Sequence, residues 1–299
     1  MNEQDNFEPP GADPQNEAAV METDAPLPFS TVEYGYGPAF APQPDAKPDP
    51  DHPRWGAGAG IAAWLISVAS IVVLPLIAVM IWYFIELARG MQLSSDKEVL
   101  REWATSPNVL FISVLSTIVA HGLTIAVCWA IVTQMGKRPL FQSLGWDWGG
   151  KSAVYWLLFS AAATIGLIAV TIVLARVLPQ KEGTDFDILI KSSARVRIAV
   201  VILATFSAPL VEEMVYRGVL FAGLRVSLGA APAVIIVTAC FTGVHLLQYW
   251  GAWVSISGLL LLSLTLTLVR ARTRSILPCV TFHLVNNAFQ SVLILIGKG

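Results

Sequence analysis

The chain has 299 residues and a formal net charge of −2, and 55% of its residues are hydrophobic while only 13% are charged. Soluble domains carry about 25% charged residues, so this composition argues against a soluble protein and predicts an all-α, polytopic transmembrane helix bundle. The basic residues that follow residue 55 are scattered between apolar runs. This arrangement argues against a nucleic-acid partner and makes the lipid bilayer the expected surrounding.

The first 55 residues differ from the rest of the chain. They contain eleven acidic and two basic side chains and eleven of the eighteen prolines. Such a segment cannot bury enough apolar surface to offset its ordering entropy, so we predict a disordered N-terminal tail over residues 1–55. No basic start precedes a short apolar core, so no secretory signal peptide is predicted. Removal of residues 1–54 is expected to leave insertion and catalysis intact.

Charge-free runs after the tail predict about seven transmembrane helices. Some 20 apolar residues are needed to cross a hydrocarbon core of about 30 Å at 1.5 Å per residue. We divide the chain into N-terminal transmembrane helices (56–194) and a C-terminal core (195–299). No internal repeat is visible, which disfavours an inverted-repeat transporter. The predicted spans are 59–85, 109–133, 153–175, 198–226, 232–249, 253–269 and 276–296.

The orientation of the helices is weakly determined by the sequence. If the spans alternate, nine Lys and Arg residues fall on each side of the membrane, so the positive-inside rule does not decide. The acidic tail and the Arg270–Arg274 cluster favour a cytosolic N-terminus, and in a bacterium the protein is expected in the plasma membrane. The cysteines Cys128, Cys240 and Cys279 lie in apolar runs and are predicted to be buried thiols, not disulfides.

A few polar side chains interrupt the apolar spans and are the candidates for chemistry. A charged side chain that faces lipid at the bilayer centre costs roughly 3 kcal/mol. The three charged residues of the fourth span are therefore expected to face the bundle interior or a water-filled cavity, where ionisable residues indicate function. The polar set is Glu212, Glu213, Arg217, His245, His283 and Asn287, with His121 in the second span.

The depths of these residues in their spans predict one site. Glu212, His245, His283 and Asn287 lie 7 to 14 residues from the same membrane surface, or roughly 10 to 21 Å deep. A carboxylate there can act as general base on a water. The two imidazoles and the carboxylate can hold zinc with an open position, or, without metal, orient the water while an amide donates to the oxyanion. Either arrangement predicts a water-activating hydrolase.

Three short motifs resemble those of a known family. The segment Glu212–Arg217 is similar to the EExxxR motif of the CAAX prenyl protease and bacteriocin-processing (CPBP, or Abi) intramembrane proteases. The segments Phe241–His245 and His283–Asn287 resemble the FxxxH and HxxxN motifs of the same family. Each motif alone is weak, but all three occur in the family's order on apolar helices. The resemblance covers about residues 195–297, roughly a third of the chain.

The resemblance implies a role for each motif residue. Glu212 would activate the water, His245 and His283 would bind metal or water, and Asn287 would stabilise the oxyanion. Zinc held by Glu212, His245 and His283, and a metal-free glutamate mechanism, both stay open. The residues expected to support the site are Glu213 and Arg217, which neutralise each other, and Phe241, which packs beneath it.

These residues are compatible with two functions from different classes. The first is a membrane-embedded endopeptidase that cleaves a protein or peptide, lipidated as in CAAX processing or unlipidated as in leader and bacteriocin processing. The alternative is a non-catalytic immunity or scaffold protein, or a proton-coupled transporter with Glu212 and His245 as a relay. The complete set of three motifs favours the enzyme. His121 has no partner at a helical spacing and is expected to be a hydrogen-bonded core histidine.

Overall fold

The computed structural model describes residues 48–92, 94–179, 181 and 183–297. Within these ranges every regular element is a helix and no strand occurs, which confirms the predicted all-α fold. The predicted disordered tail lies outside the described residues as far as residue 47. The three cysteines are free thiols, two buried and one half-buried.

The N-terminal part of the bundle consists of three long helices joined through two short ones. The long helices α1, α3 and α5 each contain an apolar stretch of 18 residues and are long enough to cross a membrane. The short helices α2 and α4 lie in the connections between them. In chain order these elements are α1 (Ala57–Ala88), α2 (Lys97–Ala104), α3 (Pro107–Thr133), α4 (Leu140–Leu144) and α5 (Ala153–Leu174).

The C-terminal part contains one short helix, one interrupted helix and three longer uninterrupted ones. A continuous helical stretch over Ala194–Leu228 crosses the membrane, and two π-helical segments divide it. The remaining elements are α6 (Asp185–Ser192), α7 (Ala194–Ile202), π1 (Leu203–Ser207), α8 (Ala208–Glu213), π2 (Met214–Leu220), α9 (Phe221–Leu228), α10 (Ala230–His245), α11 (Trp253–Thr273) and α12 (Leu277–Ile296).

Six of the seven predicted spans are long enough to cross the membrane, so the chain is a multi-pass integral membrane protein. The exception is the predicted span 232–249. Helix α10 has 16 residues, which is about 24 Å and short of a core of about 30 Å. The chain turns after His245, and Gly251 takes a φ of +88° in this turn, which glycine adopts without strain. His245 therefore stands at the end of a short helix.

In both π segments the backbone hydrogen bonds are shifted by one residue relative to a regular α-helix. In π1 the Ala208 N–H bonds the Leu203 carbonyl, and Pro209 has no N–H to give to Ala204. In π2 the Phe221 N–H bonds the Tyr216 carbonyl instead of its α-helical partner, the Arg217 carbonyl. Single-turn π segments inside α-helices occur frequently at functional sites.

Residues 49–55 differ from the prediction of a tail that extends to residue 55. Asp51 and Trp55 are buried, with 2% and 8% of their surface exposed. Asp51 lies among three arginines, and the Trp55 indole donates to the Val219 carbonyl of π2 at 3.0 Å. Proline content predicted disorder here, but the basic cluster at the end of α11 supplies partners that neutralise the acidic segment. We call residues 49–55 the strap.

Candidate active site

The three motifs lie on three packed helical segments. Glu212 and Glu213 end the short helix α8, and Arg217 lies in the middle of π2. His245 is the last residue of α10, while His283 and Asn287 lie on successive turns of α12. Helix α8 packs against α12 and π2, and π2 packs against α10. The tertiary structure thus brings the motifs together around Phe241 and the two glutamates.

Glu213 is the centre of a buried hydrogen-bond network. Its Oε1 accepts from Arg217 at 2.9 Å and from His283 Nδ1 at 2.8 Å. Both Glu213 and Arg217 have fully buried side chains. The second guanidinium nitrogen of Arg217 donates to the carbonyl and the hydroxyl of Ser263 on α11, each at 3.0 Å. The predicted Glu213–Arg217 pair is present, and it also holds the imidazole of His283.

Glu212 faces the other side of the same imidazole. Glu212 Oε2 lies 3.8 Å from His283 Nε2, and 22% of its side chain is exposed. His283 Nδ1 donates a hydrogen bond to Glu213 Oε1, because a carboxylate oxygen that also accepts from Arg217 acts as an acceptor here. Nε2 then carries the lone pair and is directed toward Glu212. A separation of 3.8 Å is too long for a direct hydrogen bond and fits two groups that share a bridging water.

His245 presents its ring in a similar way. Its Nδ1 lies 2.9 Å from the carbonyl oxygen of Phe241, and a carbonyl only accepts, so Nδ1 is the donor and Nε2 keeps the lone pair. The Phe241 ring contacts both imidazoles, with ring centroids 5.1 Å from His245 and 5.9 Å from His283. The Arg217 guanidinium lies over the same ring at 4.9 Å. Phe241 thus packs beneath the site.

Asn287 connects α12 to the first π segment. Its Nδ2 donates to the carbonyl of Ala204 at 2.9 Å, the group that Pro209 leaves without a backbone partner. The neighbouring Asn286 donates to Asn287 Oδ1 at 3.3 Å. Because an amide nitrogen carries two N–H groups, Asn287 has a second donor besides the one that holds π1. Asn287 therefore combines a structural contact with a second donor, and it lines the same cavity as Glu212.

A cavity of about 590 Å³ contains the candidate residues. Its polar wall includes Glu212, His245, His283 and Asn287, and apolar side chains of α5, α6 and α11 form the opposite wall. At the far end lie residues of the α5–α6 connection and of α6, among them Asp187. Partial burial raises the pKa of Asp187, but hydrogen bonds from Thr184 outweigh this effect and hold that pKa below its usual value. The cavity lining thus combines many apolar side chains with Asp187 and Lys181, two side chains of opposite charge.

The three predicted zinc ligands are not arranged as a three-ligand metal site in the described residues. Within the ranges 48–92, 94–179, 181 and 183–297, no group of three or more His, Cys, Asp or Glu side chains is arranged to hold a metal ion. His283 Nε2 lies 3.8 Å from Glu212 Oε2, and the His245 ring contacts Phe241 at a centroid distance of 5.1 Å. Zinc bound by Glu212, His245 and His283 stays a prediction from the resemblance.

Some contacts of the site carry no signal in the sequence. Ser263 on α11 accepts from Arg217 through its carbonyl, and any residue could supply that group. His121 Nδ1 lies 2.6 Å from Ser207 Oγ at the end of π1, which agrees with its expected role as a hydrogen-bonded core histidine. The Trp64 indole donates to the Tyr216 hydroxyl at 3.2 Å. These partners come from helices outside the motifs, so spacing along one helix could not predict them.

Comparison with known proteins supports the interpretation of these motifs. The Rce1-like family, described as type II CAAX prenyl endopeptidase Rce1-like, matches residues 194–289. The match covers the three motif segments and confirms the resemblance predicted from them. No match was found among curated proteins or among solved structures. The matched family is one of endopeptidases, which supports peptidase activity for this membrane protein.

Proposed function

We propose that the chain, whose residues 194–289 are similar to type II CAAX prenyl endopeptidases, hydrolyses a peptide bond of a membrane-associated protein or peptide. One observation carries this proposal. Glu212 faces His283 Nε2 at 3.8 Å in a cavity, while Glu213 fixes the opposite nitrogen of the same ring. A carboxylate and an oriented imidazole around one water position are the parts that water activation needs.

The reaction follows from these groups. A water between Glu212 and His283 donates one proton to Glu212 and attacks the scissile carbonyl carbon through its oxygen. The carbonyl becomes an oxyanion, and the second N–H of Asn287 stabilises that charge in a site of low dielectric constant. Glu212 then returns the proton to the leaving amine as the C–N bond breaks. His245 Nε2 accepts a hydrogen bond from the water or the substrate backbone.

The buried network has a separate task in this mechanism. His283 must stay neutral with its proton on Nδ1, because only then does Nε2 accept a hydrogen bond from the water. Glu213 holds that tautomer by accepting from Nδ1, and Arg217 fixes the position of Glu213 through a hydrogen bond to the same oxygen. A carboxylate that orients an imidazole serves comparable purposes in other hydrolases. Glu213 and Arg217 thus act through His283 and not on the substrate.

The substrate is proposed from the cavity and from the family. The apolar wall between α5 and α11 suits a lipidated chain, and the family description names prenyl substrates. A CAAX-type C-terminus is therefore the proposed substrate, and an unlipidated leader or bacteriocin peptide is the competing outcome of the test. With a cytosolic N-terminus, the ends of α9 and α11 face the cytosol. In a bacterium the protein is placed in the plasma membrane.

A cleavage assay in lipid nanodiscs tests the function. The substrates are an internally quenched farnesylated peptide that ends in a Cys-aliphatic-aliphatic-X sequence, the same peptide without farnesyl, and an unlipidated leader-type peptide. Wild-type protein is compared with Glu212→Gln and with Glu102→Gln, a matched change at an exposed carboxylate of α2. Cleavage by wild type and Glu102→Gln but not by Glu212→Gln supports the proposal. Equal cleavage by all three proteins contradicts it.

The zinc prediction has its own measurement. If Glu212, His245 and His283 bind zinc, purified protein should contain about one equivalent by elemental analysis. Both His245→Ala and His283→Ala should lose that zinc, and chelator should abolish cleavage until zinc is restored. Full activity in a preparation shown to be free of metal would end the zinc prediction. The glutamate mechanism described above would then be the remaining one.

A further inference from the structure

The strap, residues 49–55, contacts the helix that carries the glutamate motif, although it lies far from that motif in sequence and outside the matched segment 194–289. Asp51 in the strap has a buried carboxylate, and three arginines surround it. Its Oδ1 pairs with Arg270 at 3.0 Å, and its Oδ2 pairs with Arg274 at 2.6 Å and Arg225 at 3.1 Å. One carboxylate thus joins the strap to the ends of α9 and α11.

Arg270 is the arginine of this group that reaches into the bundle. Its side chain is 1% exposed, and all three of its nitrogens donate hydrogen bonds. One terminal nitrogen bonds Asp51 at 3.0 Å, the other bonds the Pro50 carbonyl at 2.9 Å, and Nε bonds the Arg217 carbonyl at 3.2 Å. The planar fork of a guanidinium permits these three directions at once.

The Arg217 carbonyl loses its α-helical backbone donor in π2 and accepts from Arg270 Nε instead. The Phe221 N–H, its partner in a regular α-helix, bonds the Tyr216 carbonyl instead. A buried carbonyl without a donor is costly, so the Arg270 Nε contact stabilises the π conformation. The Trp55 indole adds a second donor from the strap, to the Val219 carbonyl. The strap and Arg270 together hold the backbone of π2.

We propose that Asp51 and Arg270 are positioning residues of the active site, which act through the backbone of π2 on the Glu213–Arg217–His283 network. The chain of contacts runs from Asp51 to Arg270, to the Arg217 carbonyl, through the Arg217 side chain to Glu213, and to His283 Nδ1. A return of π2 to regular α-helix would keep Arg217 on the same face as Glu213 but would turn it relative to Ser263 on α11, which anchors the pair. The activity part of the inference rests on the proposed function, and the geometric part does not.

The first measurement needs no substrate. The chain has four histidines, so selective ¹⁵N-histidine labelling yields few side-chain signals, which His→Gln variants assign. Asp51→Asn and Arg270→Gln are expected to shift or broaden the His283 Nδ1–H signal, because Glu213 loses its fixed position. The His121 signal should stay in place. His52→Gln is the matched control, since His52 lies in the strap with an exposed side chain that pairs with Asp49.

The second measurement is kinetic and uses the farnesylated quenched peptide. In folded Asp51→Asn protein, kcat should fall between about tenfold and 100-fold, as small displacements of catalytic groups do. The KM should change less than about twofold, because no substrate contact is removed. His52→Gln should match wild type in both constants. A purely structural role would lower the amount of folded protein and leave the kcat of the folded fraction unchanged.

Folding and function are separated as follows. If Asp51→Asn does not fold, Arg270→Lys is the second variant, since it keeps a charge beside Asp51 but replaces the three nitrogens of the guanidinium with one. If wild type cleaves no peptide, the proposed function fails while the histidine signals still test the positioning role. Unchanged His283 signals and unchanged kcat in the folded variants overturn the inference. A shifted His283 signal with normal His52→Gln protein supports it.

Discussion

The three N-terminal long helices and the C-terminal helices of the bundle use apolar residues for different purposes. In the most apolar 18-residue stretch of each long helix, 11% of the residues are buried in α1 and α5 and 28% in α3 and α12, whereas 39% are buried in Ala194–Leu228 and 44% in α11. The buried residues of α1 are all small, namely Gly60, Ala63, Ser67 and Ser70. Those of π2 include the large side chains Tyr216 and Arg217.

This difference shows how a membrane protein can hold charges in its interior. The C-terminal helices enclose a fully buried ion pair, and its partners come from α11 and α12. Helix α1 packs closely on π2 through its small residues, as helices do in membranes, and exposes its large side chains to lipid. The N-terminal helices thus pack against the C-terminal helices, and the matched segment contains the candidate catalytic side chains.

The largest expected effect concerns the carboxylate at the cavity. Glu212→Gln keeps the shape of the side chain and removes the base, so cleavage should fall by about 10² to 10⁴-fold. A neutral amide is also less costly to bury than a carboxylate, so insertion and melting temperature should match wild type. Cleavage by Glu212→Gln at the wild-type rate would show that Glu212 is not the base. The assignment of the catalytic base to this position in the C-terminal helices would then be wrong.

The next effect concerns the buried pair. Glu213→Ala leaves Arg217 as an unpaired buried charge, and breaking such a pair costs about 3–5 kcal/mol. We expect a lower melting temperature and a lower yield of folded protein, measured in detergent by fluorescence. The same change removes the acceptor for His283 Nδ1, so the remaining folded protein should also be inactive.

A double variant separates the two losses. Glu213→Ala combined with Arg217→Ala removes both charges and should recover part of the stability, while activity stays lost because His283 has no orienting partner. Stability as low in the double variant as in Glu213→Ala would argue against the pair as the source of the loss. Recovery of activity would argue against the orienting role of Glu213.

The close contact between the two regions is tested at Gly60. A Cβ at this position would lie 3.1 Å from the Leu220 Cα and 3.3 Å from the Val219 carbonyl oxygen, both in the backbone of π2. Gly60→Val should therefore destabilise the bundle by about 1–3 kcal/mol. Gly58→Val is the matched control in the same helix, because a Cβ there meets nothing within 4 Å. Equal melting temperatures for both variants would mean that α1 does not pack closely on π2.

The smallest expected effect is for the residues that precede the strap. Removal of residues 1–47 leaves Asp51 and Trp55 in place and should change neither melting temperature nor kcat. Removal of residues 1–54 also deletes Asp51 and should resemble Asp51→Asn, unlike the expectation from proline content alone. Matched nanodisc preparations of the two truncated proteins and the full chain give this comparison. Identical behaviour of both truncations would show that the strap is dispensable.

Much of the architecture is readable from the sequence because a bilayer imposes a simple requirement. A helix that crosses hydrocarbon must be apolar and about 20 residues long, and this rule located six spans with errors of a few residues at most of their ends. The cost of a charge in lipid also singled out Glu212, Glu213 and Arg217. The pairing of Glu213 with Arg217 followed from i, i+4 spacing, which the described contact retains.

The tertiary structure decided what depends on partners that are distant in sequence. The π segments arise where backbone donors shift or are missing, and they persist because Asn287 and Arg270 donate to the Ala204 and Arg217 carbonyls. The link from Glu213 to His283 and the burial of Asp51 likewise join residues far apart in the chain. Composition and helical spacing describe one segment at a time. A buried acceptor, in contrast, is satisfied by whichever helix packs beside it.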